Sequence, residues 1–241
     1  MAVPRSARVT TAETVGPDTR LLELFVAESL GFLGGQYTIV DSGLVLPNGK
    51  AVKRAYSVLS ADRDQNSFQL AVKRIANGPG SRYIHDLPVG TEIRFSGPWG
   101  KFYAAPDACG PTLVFATDTG ITAALGLVQS ARFLPLLSKT ALIWLRSADE
   151  YFLPEAFVRA RIPRQCGEVR IDVIPPIGDP GRIPRSREVV RGVLSSVCVE
   201  QAFVCGDGAV NYALFEDLLQ AGVRVSKDSL ESFFNLPGKQ A

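Results

Sequence analysis

Arginine, tyrosine and serine lie close together in the segment VKRAYSVLSA, residues 52–61. A guanidinium such as that of Arg54 can bind a phosphate through two parallel hydrogen bonds. The ring of Tyr56 can stack on a flat heterocycle, and the hydroxyl of Ser57 can hydrogen-bond to a ring nitrogen. On an extended strand Arg54 and Tyr56 project from one face, and Ser57 from the other unless the strand ends there. The three residue types suit a flavin nucleotide, and an ordinary core strand is the alternative.

Two turns of small residues follow apolar stretches in the second half of the chain. In TDTGIT, residues 117–122, Gly120 would let a phosphate approach the backbone, and the following helix would offer free N–H groups to an anion. In CGDG, residues 205–208, a glycine pair beside a cysteine would admit a flat ring. The alternatives are a plain strand-to-helix turn, with Thr or Asp as its N-cap, and a buried cysteine followed by turn glycines.

A third turn, GPGS at residues 78–81, precedes a predicted helix in the first half. Ser81 would cap this helix, and Gly80 would admit a phosphate. None of these turns carries the GxGxxG pattern of an N-terminal βαβ unit. A Rossmann-type fingerprint is therefore not predicted.

Histidine and clustered cysteine are scarce. The chain has one histidine, His85, and four widely spaced cysteines, with no CxxC or HExxH motif. We therefore expect no metal site: neither a structural zinc site nor a metalloprotease is indicated, and the spacing does not match an iron–sulfur cluster. No GxSxG motif accompanies His85, which disfavours a serine hydrolase. An enzyme of this composition would take its reactive group from a bound organic cofactor.

Composition narrows the class of protein further. The 241 residues carry a net charge of +2, which is too small to indicate a nucleic-acid or membrane surface. No apolar run approaches the ~20 residues of a membrane span, and the first residues lack the apolar segment of a signal peptide. We expect a cytoplasmic protein without a membrane span or a nucleic-acid partner.

The elements that must position these residues change in character along the chain. Up to about residue 105, six short β-rich segments are separated by Gly, Pro, Asp and Asn turns and by one helix at GSRYIHDLP. Beyond it, continuous apolar strands alternate with helical segments, which is typical of a parallel sheet covered on both faces. The sequence predicts an antiparallel β-barrel over residues 1–105 and an α/β parallel-sheet domain over residues 106–241.

The second domain has four predicted strands and four predicted helices. The strands are TLVFAT (112–117), TALIWLR (140–146), VRIDVI (169–174) and QAFVCG (201–206). The helices span residues 120–133, 155–162, 187–196 and 209–222.

The order of these motifs resembles the ferredoxin–NADP reductase superfamily, and more closely the reductase components of bacterial oxygenases, here without a ferredoxin domain. The resemblance extends from about residue 5 to residue 236. The motifs that carry it are RAYS (54–57), GPGS (78–81), GPWGKF (97–102), TDTGIT (117–122) and CG (205–206).

The resemblance implies an FAD site in the first domain. Arg54 would bind the pyrophosphate, Tyr56 would pack on the isoalloxazine ring, and Ser57 would lie near the flavin N5. Gly80 and Ser81 would hold the phosphates. The backbone that would border the FAD comprises Val72, Lys73 and Arg74. The turn between the domains would be shaped by Gly97, Pro98 and Gly100.

It also implies a nicotinamide-dinucleotide site in the second domain. The residues that match the phosphate loop are Thr119, Gly120 and Thr122. Cys205 and Gly206 would lie beside the nicotinamide, and Arg146 ends the second strand, where residues that select NAD or NADP often lie. Glu231 resembles a carboxylate close to the flavin. The implied catalytic residues are Ser57, Cys205 and Glu231.

Three segments depart from the family pattern. Thr117 and Asp118 stand where the family usually has Gly-Gly or Gly-Thr, Ala123 replaces a proline, and CGDGAV replaces a CGPPxM motif. An acidic Asp118 near a pyrophosphate is unfavourable unless it caps the helix or points away. These changes bear on dinucleotide affinity more than on flavin binding.

The implied function is that of an NAD(P)H-dependent flavoprotein reductase. A hydride would pass from NAD(P)H to bound FAD, and single electrons would pass to a separate acceptor protein, such as a ferredoxin or an oxygenase component. The alternatives are a flavin reductase that releases reduced flavin, and a flavin-bearing electron-transfer subunit without dinucleotide turnover. The choice between NADH and NADPH stays open. A basic cluster would bind a 2′-phosphate, dock an acidic partner or form solvated surface: Arg182, Arg185, Arg187 and Arg191.

Overall fold

The computed structural model describes residues 4–233, which form one antiparallel and one parallel sheet. The antiparallel half contains helix α1 (Pro79–His85) and strands β1 (Arg5–Gly16), β2 (Thr19–Phe25), β3 (Tyr37–Val45), β4 (Ala51–Ser57), β5 (Ser67–Lys73) and β6 (Glu92–Trp99). The parallel half contains helices α2 (Ile121–Val128), α3 (Glu155–Arg159), α4 (Arg182–Ser196) and α5 (Gly208–Gln220). Its strands are β7 (Thr112–Thr117), β8 (Thr140–Arg146), β9 (Glu168–Val173), β10 (Gln201–Asp207) and β11 (Leu230–Phe233). The predicted fold class is confirmed.

The first sheet is six-stranded in the order β4-β3-β6-β1-β2-β5. Its strands bury aliphatic and aromatic side chains on one face, among them Leu22, Leu24 and Phe68. The segment after β4 also reaches the far edge, because the backbone N–H of Leu59 donates to the carbonyl of Gln69 over 2.9 Å. This contact between the two ends curls the sheet towards a barrel and places β4 beside β5.

The second sheet is parallel, in the order β11-β10-β7-β8-β9. Every residue of β7 and β8 is buried, as the continuous apolar runs predict for strands covered on both faces. The chain runs outward from β7 to β8 and β9 and then returns to pair β10 with the other side of β7. The order of the sheet thus reverses between β7 and β10, and ligands of open parallel sheets bind at the carboxyl edge of such a point.

The largest differences from the sequence prediction concern three elements. The helix predicted over 120–133 ends at Val128, because Ser130 is extended (φ −69°, ψ 141°) and a 3₁₀ segment, Ala131–Lys139, follows it. Helix α4 begins at Arg182, five residues before the predicted start. Strand β11 was not predicted, since its four half-buried residues carry little apolar pattern.

Asp62 joins the two halves. Its carboxylate accepts hydrogen bonds from the backbone N–H of Gly34 (3.0 Å), from the hydroxyl of Ser130 and from the N–H of Ala131 (3.1 Å). Nearby, a β-carbon on Gly126 would lie 2.3 Å from the carbonyl oxygen of Val58, so α2 packs against the antiparallel half through bare backbone. These contacts fix how the edges of the two sheets face each other.

The boundary predicted after residue 105 falls in the connection between β6 and β7 and stays a prediction. Residues 1–3 and 234–241, which the predicted domains include, lie outside the described residues. Within the described chain, no single helix is long and apolar enough to cross a membrane. One pair of helical segments, Asp118–Val128 and Ala131–Lys139, meets those criteria together but bends by 105°.

Candidate functional site

A cavity of about 1170 Å³ opens between β4, α1 and the carboxyl edge of the parallel sheet. Nine of the predicted site residues line it: Arg54, Tyr56, Ser57, Val72, Lys73, Gly80, Ser81, Thr119 and Thr122. The parallel half adds three lining residues that the sequence did not suggest: Tyr151, Ile177 and Phe233. Both halves therefore contribute to one cavity.

Strand β4 supplies the wall in which the sequence analysis placed a flavin. Arg54 is exposed, and its Nη1 donates to the carbonyl of Lys53 over 2.8 Å. Tyr56 is largely buried, and loss of hydration raises the pKa of its phenol. The hydroxyl of Ser57 is buried and makes no hydrogen bond to any described residue. All three line the same cavity because β4 ends at Ser57.

Helix α1 packs against this wall at Gly80. A β-carbon there would lie 2.7 Å from Cγ of Arg54 and 3.6 Å from the hydroxyl oxygen of Tyr56. Ser81 does not cap the helix, so that expectation is wrong. The N-cap is Gly78, and the tight turn before it places the side chain of Ser81 against the turn. Its hydroxyl donates to the carbonyl of Gly78 and accepts the N–H of Ile75, both over 3.0 Å.

The two predicted turns of the parallel half meet at the reversal point of the sheet. A β-carbon on Gly120 would lie 2.7 Å from the carbonyl of Cys205 and from Cα of Gly206. Gly206 has φ +119°, and a side chain there would collide with Thr117. Both glycines are therefore required by the close approach of β7 and β10.

Cys205 itself is fully buried. Its Sγ lies 3.2 Å from the carbonyl oxygen of Gly120 and 3.5 Å from that of Phe115. Burial raises the pKa of the thiol well above its usual range, so the sulfur is held as a neutral thiol. The structure brings Cys205 beside the predicted phosphate loop but not into the lining of the cavity. Its role beside a nicotinamide stays a prediction.

Glu231 pairs with Cys205 in the register of β11 and β10. Burial raises the pKa of its carboxyl to about 7. Glu231 also helps to raise the pKa of Tyr37, which is the register partner of Ser57 on β4. Glu231 Oε2 lies 3.6 Å from where a β-carbon on Gly100 would stand. A titratable carboxyl thus lies at the junction of the two halves, one strand away from the cavity wall.

Four other predicted cofactor residues lie outside the cavity lining: Gly120 and Gly206 at the reversal point, and Arg74 and Arg146. Arg74 uses its backbone N–H to bind the carbonyl of Asp18 over 2.6 Å. Arg146 is buried, its Nη2 lies 2.9 Å from Glu155 Oε2, and its guanidinium stands over the ring of Trp144. The structure does not bring either side chain to the other predicted residues.

The predicted interdomain turn lies at the end of β6. Gly97 and Gly100 have φ values of +133° and +89°, which favour glycine. The strand ends between them at Trp99, with Pro98 inside it. Gly100 packs against the ring of Tyr37, since a β-carbon there would lie 3.0 Å from it.

The reversal point holds an ion network that the sequence does not indicate. Arg182 contacts the carboxylate of Asp118 and, through Nε, the carboxylate of Asp207 over 2.8 Å. The proposed basic cluster is therefore largely neutralised within the protein. Arg185 pairs with Glu188 over 2.7 Å, and Arg187 pairs with Asp217 over 2.8 Å. Of the residues in this network, only Asp118 stood out in the sequence, because it is an acidic residue in a turn where small residues were expected.

Tyr151 bridges the two halves at the cavity. The Nζ of Lys73 lies 4.5 Å from the centre of its ring, a cation–π contact between β5 and the loop after β8. Burial raises the pKa of this phenol, and the nearby Asp118 carboxylate raises it further. The sequence offered no pattern for Tyr151, because it lies in an irregular loop.

Residues 6–103 match the family model described as the oxidoreductase FAD-binding domain. The match covers nearly all of the antiparallel half, which is therefore similar to the FAD-binding domains of this family. The predicted resemblance to the ferredoxin–NADP reductase superfamily is confirmed, and the predicted oxidoreductase class and FAD cofactor agree with the family description.

Two relatives illustrate the similarity. Ferredoxin–NADP reductase B of Sorangium cellulosum is 38% identical over 132 residues, which are 54% of this chain and 53% of the relative. A ferredoxin–NAD(P)(+) reductase component of naphthalene 1,2-dioxygenase/salicylate 5-hydroxylase systems from Ralstonia is 26% identical over 213 residues, 86% of this chain and 62% of that one. The first of these alignments spans about half the length of the relative. The names of both agree with NAD(P)H as a second cofactor.

Solved structures share the whole two-sheet architecture. A cytochrome P450 reductase from Amycolatopsis superposes with a TM-score of 0.71 at 22% identity, covering 96% of this chain and 70% of that one. A ferredoxin reductase in carbazole 1,9a-dioxygenase gives a TM-score of 0.73 at 18% identity with the same two coverages. At these identities the likeness establishes the fold.

The residues of the cavity fit FAD. The unpaired, buried hydroxyl of Ser57 lies where a polar ring atom would satisfy it. Tyr56 offers an aromatic face, and Arg54, Lys73 and Arg82 give the rim positive charge. A large, partly apolar cavity with few convergent polar groups is what a flat ring joined to a diphosphate requires.

Proposed function

We propose that this protein is a cytoplasmic flavin-dependent oxidoreductase, which passes a hydride from NAD(P)H to bound FAD and single electrons to a separate redox partner. One observation carries the proposal. The cavity of about 1170 Å³ joins the FAD-binding half to the carboxyl edge of a parallel sheet, at the point where strand order reverses. Two ligands held on these two surfaces would meet inside it.

The antiparallel half would hold the flavin. Arg54 would bind the phosphates, because its exposed guanidinium has donors left beyond its bond to Lys53. Tyr56 would pack against the ring system, and Ser57 would hydrogen-bond to one of its polar ring atoms. Lys73 is held in place by Tyr151 and would add charge to the rim. Bound FAD would supply the chemistry, since it takes up two electrons together and gives them up singly.

The parallel half would position the dinucleotide. Thr119 and Thr122 line the cavity directly after β7, and the hydroxyl of Thr122 is fixed by its bond to the carbonyl of Thr119 over 2.9 Å. Phe233 and Tyr151 would exclude water from the space between the two ligands. Such a site works mainly by orientation, because hydride transfer between two bound rings needs little acid–base help.

Glu231 would hold or release a proton at the junction of the two halves. Burial brings its pKa to about 7, so Glu231 Oε2 can hold or release a proton at neutral pH. Its backbone partner Cys205 remains a neutral thiol and would act through packing beside Gly120. We propose that the two residues have separate roles: Glu231 stores a proton, and Cys205 maintains the packing beside Gly120.

The electron acceptor would be a separate protein, such as a ferredoxin or an oxygenase component. The names of several relatives support this, among them an alkene monooxygenase reductase component and an aromatic O-demethylase reductase subunit. They do not choose between acceptors, and the choice between NADH and NADPH is equally open.

An anaerobic titration tests the proposal. The protein loaded with FAD should lose its flavin absorbance on addition of NADH or NADPH, and adding a one-electron acceptor should restore it. A flavin that dithionite bleaches but neither nucleotide does would contradict the proposal. That result would favour an electron-transfer subunit without dinucleotide turnover, to which the acidic Asp118 beside the phosphate loop already gives support. Release of the flavin on reduction would favour a flavin reductase.

A further inference from the structure

Arg182 is enclosed by carboxylates at the reversal point of the parallel sheet. Its side chain is 2% exposed and contacts the carboxylates of Asp118 and Asp207. The remaining donors are also used: Nη1 donates to the carbonyl of Pro175 over 2.8 Å and to the hydroxyl of Ser147 over 3.3 Å. In the described structure this guanidinium therefore has no donor pair turned towards an outside ligand.

The network stands where a dinucleotide would place its phosphates. Asp118 directly follows β7, and Asp207 is the last residue of β10. Phosphates bound at the carboxyl edge of a parallel sheet are stabilised by free N–H groups and cations. Here two carboxylates surround one guanidinium, so the local side-chain charge is −1. A phosphate-binding site needs a positive charge, so this network opposes an anionic ligand.

Asp118 is not free to turn away. Its Oδ1 accepts the N–H of Ser147 over 2.9 Å and the hydroxyl of the same residue over 2.8 Å. Its carbonyl accepts the indole N–H of Trp144 over 2.9 Å. The backbone of Asp118 is left-handed, at φ +49°, and surrounding contacts must hold a non-glycine residue in that conformation. The carboxylate is thus a fixed part of the site.

We propose that Asp118 and Asp207 hold Arg182 as an internal counter-ion and thereby weaken the binding of a dinucleotide diphosphate at this edge. A diphosphate would have to displace a carboxylate from Arg182 or bind beside two negative charges without it. This inference rests on the proposed function, because it assumes that a pyridine dinucleotide binds at the reversal point.

The test is the affinity of the FAD-loaded protein for ADP-ribose, NAD⁺ and NADP⁺, measured by calorimetry in Asp118→Asn. Asparagine keeps the shape and the acceptor for Ser147 but removes the charge, and Asp207 still pairs with Arg182. All three ligands should bind about ten-fold more tightly, as expected for removing one nearby like charge. In Asp118→Asn/Arg182→Gln the gain should disappear, because Asp207 is then left without its cation and the local side-chain charge is again −1.

Asp217→Asn is the matched control. It breaks another partly buried aspartate–arginine pair in the same half, but near the end of α5 and away from the carboxyl edge. Affinity should stay within about two-fold of the unsubstituted protein, a change well below the effect of a nearby charge. Asp207→Asn is the second variant, should Asp118→Asn fail to fold, and it should also tighten binding.

Unchanged or weaker binding in both Asp118→Asn and Asp207→Asn would overturn the inference. The two carboxylates would then have no effect on dinucleotide affinity, or would increase it. The proposed function is judged separately, by whether NADH or NADPH bleaches the flavin of the unsubstituted protein. Bleaching with no gain in the variants rejects the inference alone, whereas no bleaching and no binding in any protein rejects both.

Discussion

Gly80 of α1 and Arg54 of β4 are packed so closely that a β-carbon on the glycine would lie 2.7 Å from Cγ of the arginine. The start of the helix and the strand therefore form one continuous surface. The buried hydroxyl of Ser57 opens onto the same cavity without a partner. This surface is the structural basis for placing FAD in the antiparallel half.

Arg54→Ala should weaken FAD binding about ten- to hundred-fold, the range expected when a charge-assisted hydrogen bond to a phosphate is lost. The melting temperature of the FAD-free protein should hardly change, because Arg54 is exposed. Equilibrium titration of the FAD-free protein, followed by flavin fluorescence, measures the affinity. Arg63→Ala removes another exposed arginine that does not line the cavity and should have no effect. Equal losses in both variants would show that general charge, not Arg54, holds the flavin.

Gly80→Ala should weaken FAD binding without destabilising the fold. Alanine favours the helix, but its methyl group would push the side chain of Arg54 out of position. The effect should vanish when Arg54 is already alanine, so Gly80→Ala/Arg54→Ala should bind FAD no more weakly than Arg54→Ala. The same fluorescence titration over this double-mutant cycle gives the coupling. Additive losses would mean that Gly80 acts on FAD independently of Arg54.

The raised pKa of Glu231 predicts that the stability of the fold depends on pH. Its folded pKa of about 7 lies above the ordinary value of 4.5, so the protonated form stabilises the fold below pH 4.5 and this contribution is lost as pH rises through 7. Glu231→Gln has no such loss. Its free energy of unfolding in urea, relative to the unsubstituted FAD-free protein, should therefore rise by about 3 kcal/mol from pH 4.5 to pH 8. Glu216→Gln, on the exposed face of α5, should show no such rise. A constant difference for Glu231→Gln across this range would rule out a buried, protonated Glu231.

The four cysteines should differ in their reaction with a thiol reagent at pH 8. Cys109 and Cys198 are exposed and should react first. Cys166 is half-buried with its pKa raised to about 11, so it should react more slowly. Cys205 should react only after unfolding, and Cys205→Ser should remove that last phase. Rapid labelling of Cys205 in the folded protein would show that the reversal point of the sheet opens in solution.

The sequence carried most of the fold because its two halves follow different hydrophobic patterns. The bounds of β7 and β8 match the predicted strands, since a strand buried on both faces gives an uninterrupted apolar run. Strand β11 was not predicted because it forms by pairing with β10, and its own residues carry little strand pattern. The helix predicted to reach residue 133 stops early because Asp62, in the other half, holds Ser130 extended.

The candidate site shows the same division. Residues in contiguous motifs, such as Arg54, Tyr56 and Ser57, were found together in the cavity. The pairing of Asp118 with Arg182 spans 64 residues and depends on how α4 lies across the sheet, which no local pattern specifies. The sequence therefore placed Arg182 in a basic cluster that would bind a 2′-phosphate, dock an acidic partner or form solvated surface, whereas the structure buries it.

The most direct test of the account is an equilibrium titration of the FAD-free protein with FAD. We expect saturable binding of one FAD per chain, with quenching of flavin fluorescence because the ring would pack against Tyr56 in the cavity wall. FMN should bind more weakly, since it lacks the second phosphate and the adenosine. Failure of FAD to bind, in a chain that retains its cooperative unfolding, would contradict the central claim that the wall formed by β4 and α1 is a flavin site.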